Sequence, residues 1–154
     1  MTFPYEMITC SADETEKAGE ELACSFLQDA SLPRFVAMFG DLGVGKTAFT
    51  RGFVRVLSPS SAVKSPTFAI VKEYPSSNIP VFHFDMYRIA DEDDLFSIGF
   101  DDYLARRGVS IVEWSENIPY ALPQDRINIT IEKISADTPD NRRITITIQK
   151  GPQK

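Results

Sequence analysis

Apolar residues near the N-terminus recur at the spacing of an amphipathic helix. Ala18, Leu22 and Phe26 are four residues apart, so a helix would carry them on a single face. Ser11 followed by Glu14 is typical of the capping box at a helix start. After a glycine-rich segment, a second stripe at helical spacing consists of Phe49, Phe53, Val56 and Leu57. We predict one helix for each stripe, the second ending near the turn cluster SPSS.

Short apolar runs bounded by turn residues predict strands that are buried on both faces. Two such runs are FVAMF, which lies between Pro33 and Gly40, and VSIVE, which ends at Glu113. Residues 68–74 and 80–86 indicate two further strands, separated by the turn-rich segment PSSN. After them, ADEDDLFSIG places acids in the first turn of a helix, where the helix dipole favours negative charge.

Isoleucine alternates strictly with other residues in two C-terminal segments, at 127, 129 and 131 and again at 144, 146 and 148. This period of two predicts a half-exposed antiparallel strand pair connected by the loop SADTPDN. The whole pattern predicts a single α/β domain over residues 1–150, with a mixed sheet flanked by helices and a C-terminal antiparallel strand pair. We expect residues 151–154 to form a flexible tail.

The charge balance argues against a chain that holds nucleic acid by itself. The sequence has 16 basic and 22 acidic residues, a net charge of −6, whereas phosphate binding usually requires a basic field. We therefore expect a partner to hold any RNA involved. The longest apolar run, FVAMF, is far shorter than a membrane span, and the N-terminus lacks a signal-peptide pattern. With two widely separated cysteines, we expect free thiols and a cytoplasmic location.

The segment GDLGVGKT, from Gly40 to Thr47, matches the pattern G-x-x-x-x-G-K-[ST]. A random chain of this length would carry that pattern about once in two hundred. The motif also follows a predicted strand and begins a predicted helix, as phosphate binding requires. In such a loop, N–H groups surround phosphate oxygens, Lys46 reaches the β and γ phosphates, and the Thr47 hydroxyl is a magnesium ligand. We interpret the segment as a P-loop and the domain as a P-loop NTPase.

Two predicted strands end in a carboxylate that would complete this site, Asp85 and Glu113. P-loop enzymes need an acid at a neighbouring strand end to hold Mg²⁺ and a group that orients the attacking water. Spacing alone does not assign these roles, and either acid alone could simply end a strand at the surface. His83, Asp85 and Tyr87 share one face of an extended strand, so we predict that they point together. His83 could have a structural or a chemical role.

Five further residues near these motifs could contribute to the site. Thr67 has one candidate role, and each of the other four has two. Thr67, in VKSPTF, is a candidate for the switch-type contact with the γ-phosphate and metal. Trp114 directly follows the acid of VSIVE and could pack in the core or lie near the nucleotide. Arg88 could neutralise phosphate charge or pair with the acids after it. Arg51 and Arg55, one helical turn apart, could form a basic edge or a solvent face.

Four motifs in this order, GDLGVGKT, SPTF, HFDMYR and VEW, resemble those of the TsaE family, also called YjeE, of small bacterial P-loop ATPases. The motif-dense match covers residues 36–117, roughly half of the 154-residue chain. The segment ETEKAGEELA is also similar to the family's N-terminal helix. A lone P-loop motif would name no family, whereas this ordered set of four does.

The resemblance implies a role in the threonylcarbamoyl modification of the adenosine beside the tRNA anticodon. It implies ATP and Mg²⁺ as cofactors, TsaD-like and TsaB-like proteins as partners, and tRNA bound indirectly through them. It places the metal on Thr47 and Glu113 and the essential strand-end aspartate on Asp85, with Lys46 and Thr67 as further catalytic residues. The nucleotide contacts it implies are Asp41, Leu42, Gly43, Val44, Gly45, Lys46, Thr47, Ala48 and Trp114.

Three functions are compatible with these motifs. The first is a Mg²⁺-dependent ATPase that acts as an accessory subunit, with weak hydrolysis that rises when its partners are added. The second is a small-molecule kinase, although an arginine-rich lid that would close over the phosphates is not evident in the sequence. The third is a nucleotide-gated binding module with negligible turnover. The guanine-reading pattern N-K-x-D is absent, which favours ATP over GTP.

Overall fold

The computed structural model describes residues 1–63 and 70–152, and the predictions for Thr67 and its neighbours lie outside this part of the chain. Within it, the helices are α1 (Ala12–Gln28), α2 (Lys46–Leu57), α3 (Glu92–Ser97) and α4 (Phe100–Ala105). Two 3-10 turns span Ser115–Asn117 and Pro119–Ala121. The strands are β1 (Tyr5–Thr9), β2 (Phe35–Phe39), β3 (Val71–Tyr74), β4 (Val81–Asp85), β5 (Val109–Glu113), β6 (Arg126–Ser135) and β7 (Thr138–Gln149).

The seven strands form one mixed sheet in the order β1-β7-β6-β2-β5-β4-β3. Strands β6, β2, β5 and β4 run parallel at its centre, whereas β1, β7 and β3 pair antiparallel with their neighbours. The carboxyl ends of the parallel strands therefore meet at one edge of the sheet. In open α/β sheets this edge is the usual place for a ligand.

Helices cover both faces of the central strands. Val36 and Met38 of β2 belong to the core beneath α1 and α2. Phe35 and Ala37 belong to a second core beneath α3 and α4. Because successive side chains of a strand point to opposite faces, a strand covered on both sides is apolar at every position. The prediction that FVAMF is a buried strand is confirmed.

Helices α1 and α2 approach each other closely at two glycines. A Cβ atom at Gly19 would lie 2.0 Å from the carbonyl oxygen of Phe49. A Cβ atom at Gly52 would lie 1.8 Å from the carbonyl oxygen of Glu16. Both neighbours are backbone atoms, so the two helices can pack at this distance only with glycine at these positions.

Ion pairs join the same two helices beside the glycine contact. Arg51 donates to Glu16 at 2.6 Å, and Arg55 donates to Glu16 at 3.0 Å and to Glu20 at 2.8 Å. The hydrogen bond from Arg51 is the main reason that the pKa of Glu16 is lowered. Arg51 and Arg55 therefore connect α2 to α1, an arrangement that neither sequence interpretation of these arginines contained.

The helix predictions are confirmed, and one detail of the cap differs. The stripe of α1 and the Phe49, Phe53 and Leu57 positions of α2 are buried. The N–H of Glu14 donates to the side chain of Ser11 at 3.2 Å. The Glu14 carboxylate accepts from the N–H of Cys10 rather than from that of Ser11.

The C-terminal strand pair is confirmed, but the predicted loop between the strands is too long. Ile129 pairs with Ile146, and pairing continues outward to Ser135 and Thr138. The turn is thus reduced to residues 136–137, because Ser135 pairs with Thr138 and residues 138–141 belong to β7. The sequence analysis also missed β1, because its sequence YEMIT places apolar Ile8 on the exposed face and polar Thr9 on the buried face. The predicted flexible tail at 151–154 stays a prediction.

Candidate functional site

The predicted P-loop, residues Gly40–Thr47, connects the end of β2 to the start of α2, at the edge where the parallel strands end. Gly40, Gly43 and Gly45 have φ angles of +147°, +79° and +110°, which residues with a Cβ atom rarely adopt. At Gly40 a Cβ atom would also lie 2.5 Å from the carbonyl oxygen of Ile131. The glycines therefore let the backbone form a tight turn against the β6 strand.

The loop presents free backbone donors at the N-terminus of α2. Gly45 occupies the N-cap position and has no side chain to cap the helix. Over residues 1–63 and 70–152, the N–H groups of Gly43, Gly45, Lys46 and Thr47 have no hydrogen-bond acceptor. Unsatisfied N–H groups and the positive end of a helix dipole together favour an anion at this point.

Lys46 supplies a positive charge inside the same turn and is only 5% exposed. Its Nζ donates to the carbonyl of Gly40, lies 3.4 Å from that of Asp41 and is 3.7 Å from the ring centre of Trp114. Burial lowers the pKa of Lys46. Four carboxylates oppose this shift, in the order Glu116, Glu113, Asp85 and Asp41.

Thr47 and Glu113, the predicted metal pair, are in direct contact. Glu113 ends β5, the strand that adjoins β2, and is 3% exposed. The Thr47 hydroxyl lies 3.2 Å from Glu113 Oε1 and 3.4 Å from Oε2. Oε2 also forms a hydrogen bond with Nε2 of His83, which is fully buried. The tertiary structure thus joins a helix, β5 and β4 through one carboxylate.

Asp85 ends β4, one strand further from the P-loop, and pairs in register with Glu113. Burial raises the pKa of Asp85, while a hydrogen bond from the N–H of Tyr87 at 3.0 Å opposes the shift. The charge of Glu113 raises the pKa of Asp85 further, whereas that of Lys46 lowers it. A half-buried carboxyl with a raised pKa at such an edge is suited to proton transfer.

The predicted common face holds for His83 and Asp85 but is wrong for Tyr87. Strand β4 ends at Asp85, whose side chain accepts the N–H of Tyr87 and so turns the chain away. Tyr87 is 56% exposed, and its ring centre lies 4.9 Å from that of Trp114. Phe84, on the opposite face of β4, is buried in the second core as predicted.

Trp114 packs in the core, as one interpretation predicts, and the interpretation that it lies near the nucleotide stays a prediction. The ring packs against the second core, and its face is also beneath the ammonium of Lys46. Trp114 adopts the left-handed conformation, with a φ angle of +59°. The chain thus leaves the β5 strand sharply and turns the indole towards the P-loop.

A cleft of about 390 Å³ lies beside the P-loop, between α1 and β7. Its walls include Thr15, Gly45, Ala48 and Arg142. Arg142 donates through Nε to the carbonyl of Val44 at 2.9 Å and lies 3.4 Å from that of Gly43. The sequence analysis missed Arg142, because 98 residues separate it from Val44 and no motif surrounds it.

The remaining predicted nucleotide contacts differ in accessibility. Leu42 is 73% exposed at the tip of the loop, and Asp41 is also exposed. Val44 is buried, so only its backbone is available to a ligand. Ala48 lines the cleft. Arg88 is exposed, and its role stays open.

Comparison with known proteins identifies the family of this chain. The profile of the family "TsaE: Threonylcarbamoyl adenosine biosynthesis protein TsaE" matches residues 9–144. The chain is 40% identical to a tRNA threonylcarbamoyladenosine biosynthesis protein TsaE of Bacillus subtilis over 139 residues, covering 90% of this chain and 82% of that protein. A protein of the same name from Treponema pallidum is 31% identical over 139 residues, covering 90% and 97%.

A solved structure gives the same result at the level of the fold. The crystal structure of Bacillus subtilis YdiB superposes with a TM-score of 0.73 at 32% identity, covering 96% of this chain and 86% of that one. The profile match includes every element from α1 to β6 and thus the P-loop, Asp85 and Glu113. The chain belongs to the TsaE family.

Proposed function

We propose that this protein is a Mg²⁺-dependent ATP-binding and ATP-hydrolysing accessory protein for the threonylcarbamoyl modification of the adenosine beside the tRNA anticodon. It acts on a complex of TsaB-like and TsaD-like proteins and meets tRNA through them. The family membership supports the pathway. The observation that carries the biochemical activity is the contact between Thr47, at the start of the P-loop helix, and Glu113, at the end of the adjacent strand.

The donors at this contact suit magnesium. Mg²⁺ binds oxygen ligands at about 2.1 Å in octahedral geometry, so neighbouring ligand oxygens lie about 3 Å apart. Thr47 Oγ1 and Glu113 Oε1 are 3.2 Å apart. Thr47 and Glu113 would hold the cation, which would neutralise phosphate charge.

The charge balance of the site also favours a nucleotide bound with a divalent cation. Four carboxylates, those of Asp41, Asp85, Glu113 and Glu116, lie close enough to act on the ammonium of Lys46. These carboxylates would repel a bare triphosphate. Bound with Mg²⁺, the triphosphate would be favoured by Lys46 and by the free N–H groups of the loop.

Asp85 is the residue that we assign to the attacking water. Its carboxyl is half-buried at the same edge, level with Glu113, and is not engaged by Thr47. The pKa raised by burial makes it a better proton acceptor than an ordinary aspartate. We expect Asp85→Ala to bind ATP and to lose most hydrolysis.

Calorimetry with ATP and Mg²⁺, followed by phosphate-release assays with and without TsaB-like and TsaD-like partners, tests this function. We expect wild-type protein to bind ATP, to hydrolyse it slowly, and to turn over faster with both partners. Lys46→Ala should weaken nucleotide binding because the buried ammonium is lost. Lys17→Ala removes the same charge from an exposed position of α1 and serves as the matched control.

The same assays separate the proposal from its alternatives. Phosphate that appears on a metabolite rather than free in solution would identify a kinase. If Asp85→Ala abolishes hydrolysis but supports the tRNA modification in cells, the protein is a nucleotide-gated module. No heat on adding ATP and Mg²⁺, with or without the partners, would contradict nucleotide binding altogether.

A further inference from the structure

His83 is a polar residue placed in the core rather than at the site entrance. It lies on β4 with no exposed surface, two residues before Asp85 and in register with Ile111 of β5. The ring of Tyr74, on the neighbouring strand β3, stacks against it at 6.3 Å with an interplanar angle of 27°. The imidazole thus lies in the core, and its backbone is two residue pairs further from this edge of the sheet than the two carboxylates.

The imidazole makes one hydrogen bond in the described part of the chain, and its partner is Glu113. Nε2 of His83 bonds to Oε2 of Glu113, whereas Nδ1 is buried and has no partner among the described residues. A carboxylate only accepts hydrogen bonds, so Nε2 carries the hydrogen in this contact. The only polar function of the side chain that the described contacts show is therefore to donate to Glu113.

Glu113 has a second neighbour on its other side. The Thr47 hydroxyl lies closer to Oε1 than to Oε2, at 3.2 Å against 3.4 Å. The Thr47 hydroxyl is within hydrogen-bond distance of both oxygens, whereas His83 contacts Oε2 alone, so the contact with His83 is the one that distinguishes the two oxygens. Without the donor at Nε2, the carboxylate would rotate about its last bond, since such terminal torsions are broad.

We propose that His83 is a positioning residue that orients the Glu113 carboxylate for the metal. This inference rests on the proposed nucleotide and Mg²⁺ site. His83 touches neither nucleotide nor metal, and it acts through Glu113 as partners behind metal ligands generally do. This positioning role explains why the strand VFHFD has a polar residue, His83, at its buried centre.

Two substitutions test the hydrogen bond itself. Glutamine can place an amide N–H near the position of Nε2, whereas asparagine is shorter and reaches only the position of Nδ1. His83→Gln should therefore keep the donor to Glu113, and His83→Asn should lose it. Both remove the imidazole and both leave an amide in the core, so they are a matched pair.

Electron paramagnetic resonance measures the binding of Mn²⁺ to the protein in the presence of a non-hydrolysable ATP analogue. The affinity for the nucleotide without metal is measured in parallel. We expect His83→Asn to weaken Mn²⁺ binding about tenfold or more, with metal-free nucleotide affinity unchanged. His83→Gln should stay near wild type. Thermal unfolding of both variants identifies loss of fold, and His83→Leu replaces His83→Asn if the latter does not fold.

The outcomes separate this inference from the function on which it rests. Equal Mn²⁺ affinity of the glutamine and donor-free variants overturns the positioning role. Parallel losses of metal and nucleotide affinity overturn it as well, because they indicate a general structural role. Failure of wild-type protein to bind Mn²⁺ with nucleotide overturns the proposed function and this role together.

Discussion

Substitution of Gly52 by alanine tests the close contact that supports the P-loop helix. A new Cβ atom would lie 1.8 Å from the carbonyl oxygen and 2.6 Å from the carbonyl carbon of Glu16. Cβ atoms are essentially never nearer than 3.0 Å to such neighbours. Since the neighbouring atoms are the backbone of α1, α1 and α2 must separate by at least about 1.2 Å, the difference between 3.0 and 1.8 Å.

The free-energy cost of this displacement should exceed the gain from the higher helix propensity of alanine. A gap of 0.5–1 Å already removes a quarter to a half of the dispersion energy of the affected contacts. Overpacking costs about 1–3 kcal/mol, and a clash with backbone atoms belongs at the upper end of this range, about 3 kcal/mol. Alanine in place of glycine contributes about 1 kcal/mol to helix stability. We therefore expect a net loss of about 2 kcal/mol, or a Tm lower by about 4–8 °C for a chain of this size.

Thermal unfolding followed by circular dichroism measures this effect. Gly19→Ala, whose Cβ atom would meet the carbonyl oxygen of Phe49 at 2.0 Å, should destabilise similarly. Lys17→Ala, on the exposed side of α1, should leave Tm unchanged. A Tm for Gly52→Ala equal to or above that of wild type would show that α1 and α2 admit a methyl group without separating, and the packing argument would be wrong.

Three further predictions concern the site. Asp85→Asn should raise Tm at pH 7, because burial raises the pKa of Asp85 and the folded state therefore disfavours the ionised carboxylate. The difference in Tm should disappear near pH 3.5, where an aspartate with the unfolded-state pKa of about 3.9 is also largely protonated. A gain in Tm that does not depend on pH would contradict this cause. ATP with Mg²⁺ should change the fluorescence of Trp114, the single tryptophan, as phosphate draws Lys46 from the ring 3.7 Å away; a response that survives in Lys46→Ala would refute it. Glu113→Ala should raise the Mg²⁺ concentration for half-maximal nucleotide binding more than it weakens metal-free binding, and an unchanged metal titration would remove Glu113 from the metal site.

Sequence reasoning succeeded where the chemistry is contiguous. The P-loop was found because Gly40 to Thr47 form one uninterrupted segment whose backbone makes the turn. The apolar stripe of α1 and the C-terminal strand pair were predicted correctly because the spacing of apolar residues follows the period of a helix or a strand. Strand β1 was missed, because its pairing with β7 stabilises five residues that carry little pattern of their own.

The order of the strands in the sheet decided which strand-end acid, Asp85 or Glu113, contacts Thr47, a question that the spacing of residues in the sequence left open. Asp85 and Glu113 both follow an apolar run, and the register places them at the same level. Glu113 contacts Thr47 because β5, and not β4, is the neighbour of β2. This adjacency depends on the crossovers of the whole sheet, which no local window of sequence contains.

By itself, the sequence determined the glycine-rich turn at Gly40–Thr47, the faces of the long helices and the presence of two strand-end acids, since each of these depends on residues near one another in the chain. Only the tertiary structure decided which acid meets Thr47, that His83 donates to it, and that Arg142 reaches the P-loop across 98 residues. The physical reason is that hydrogen bonds and charges act over a few ångströms in space. Strand order, register and helix packing choose which distant residues come within that range.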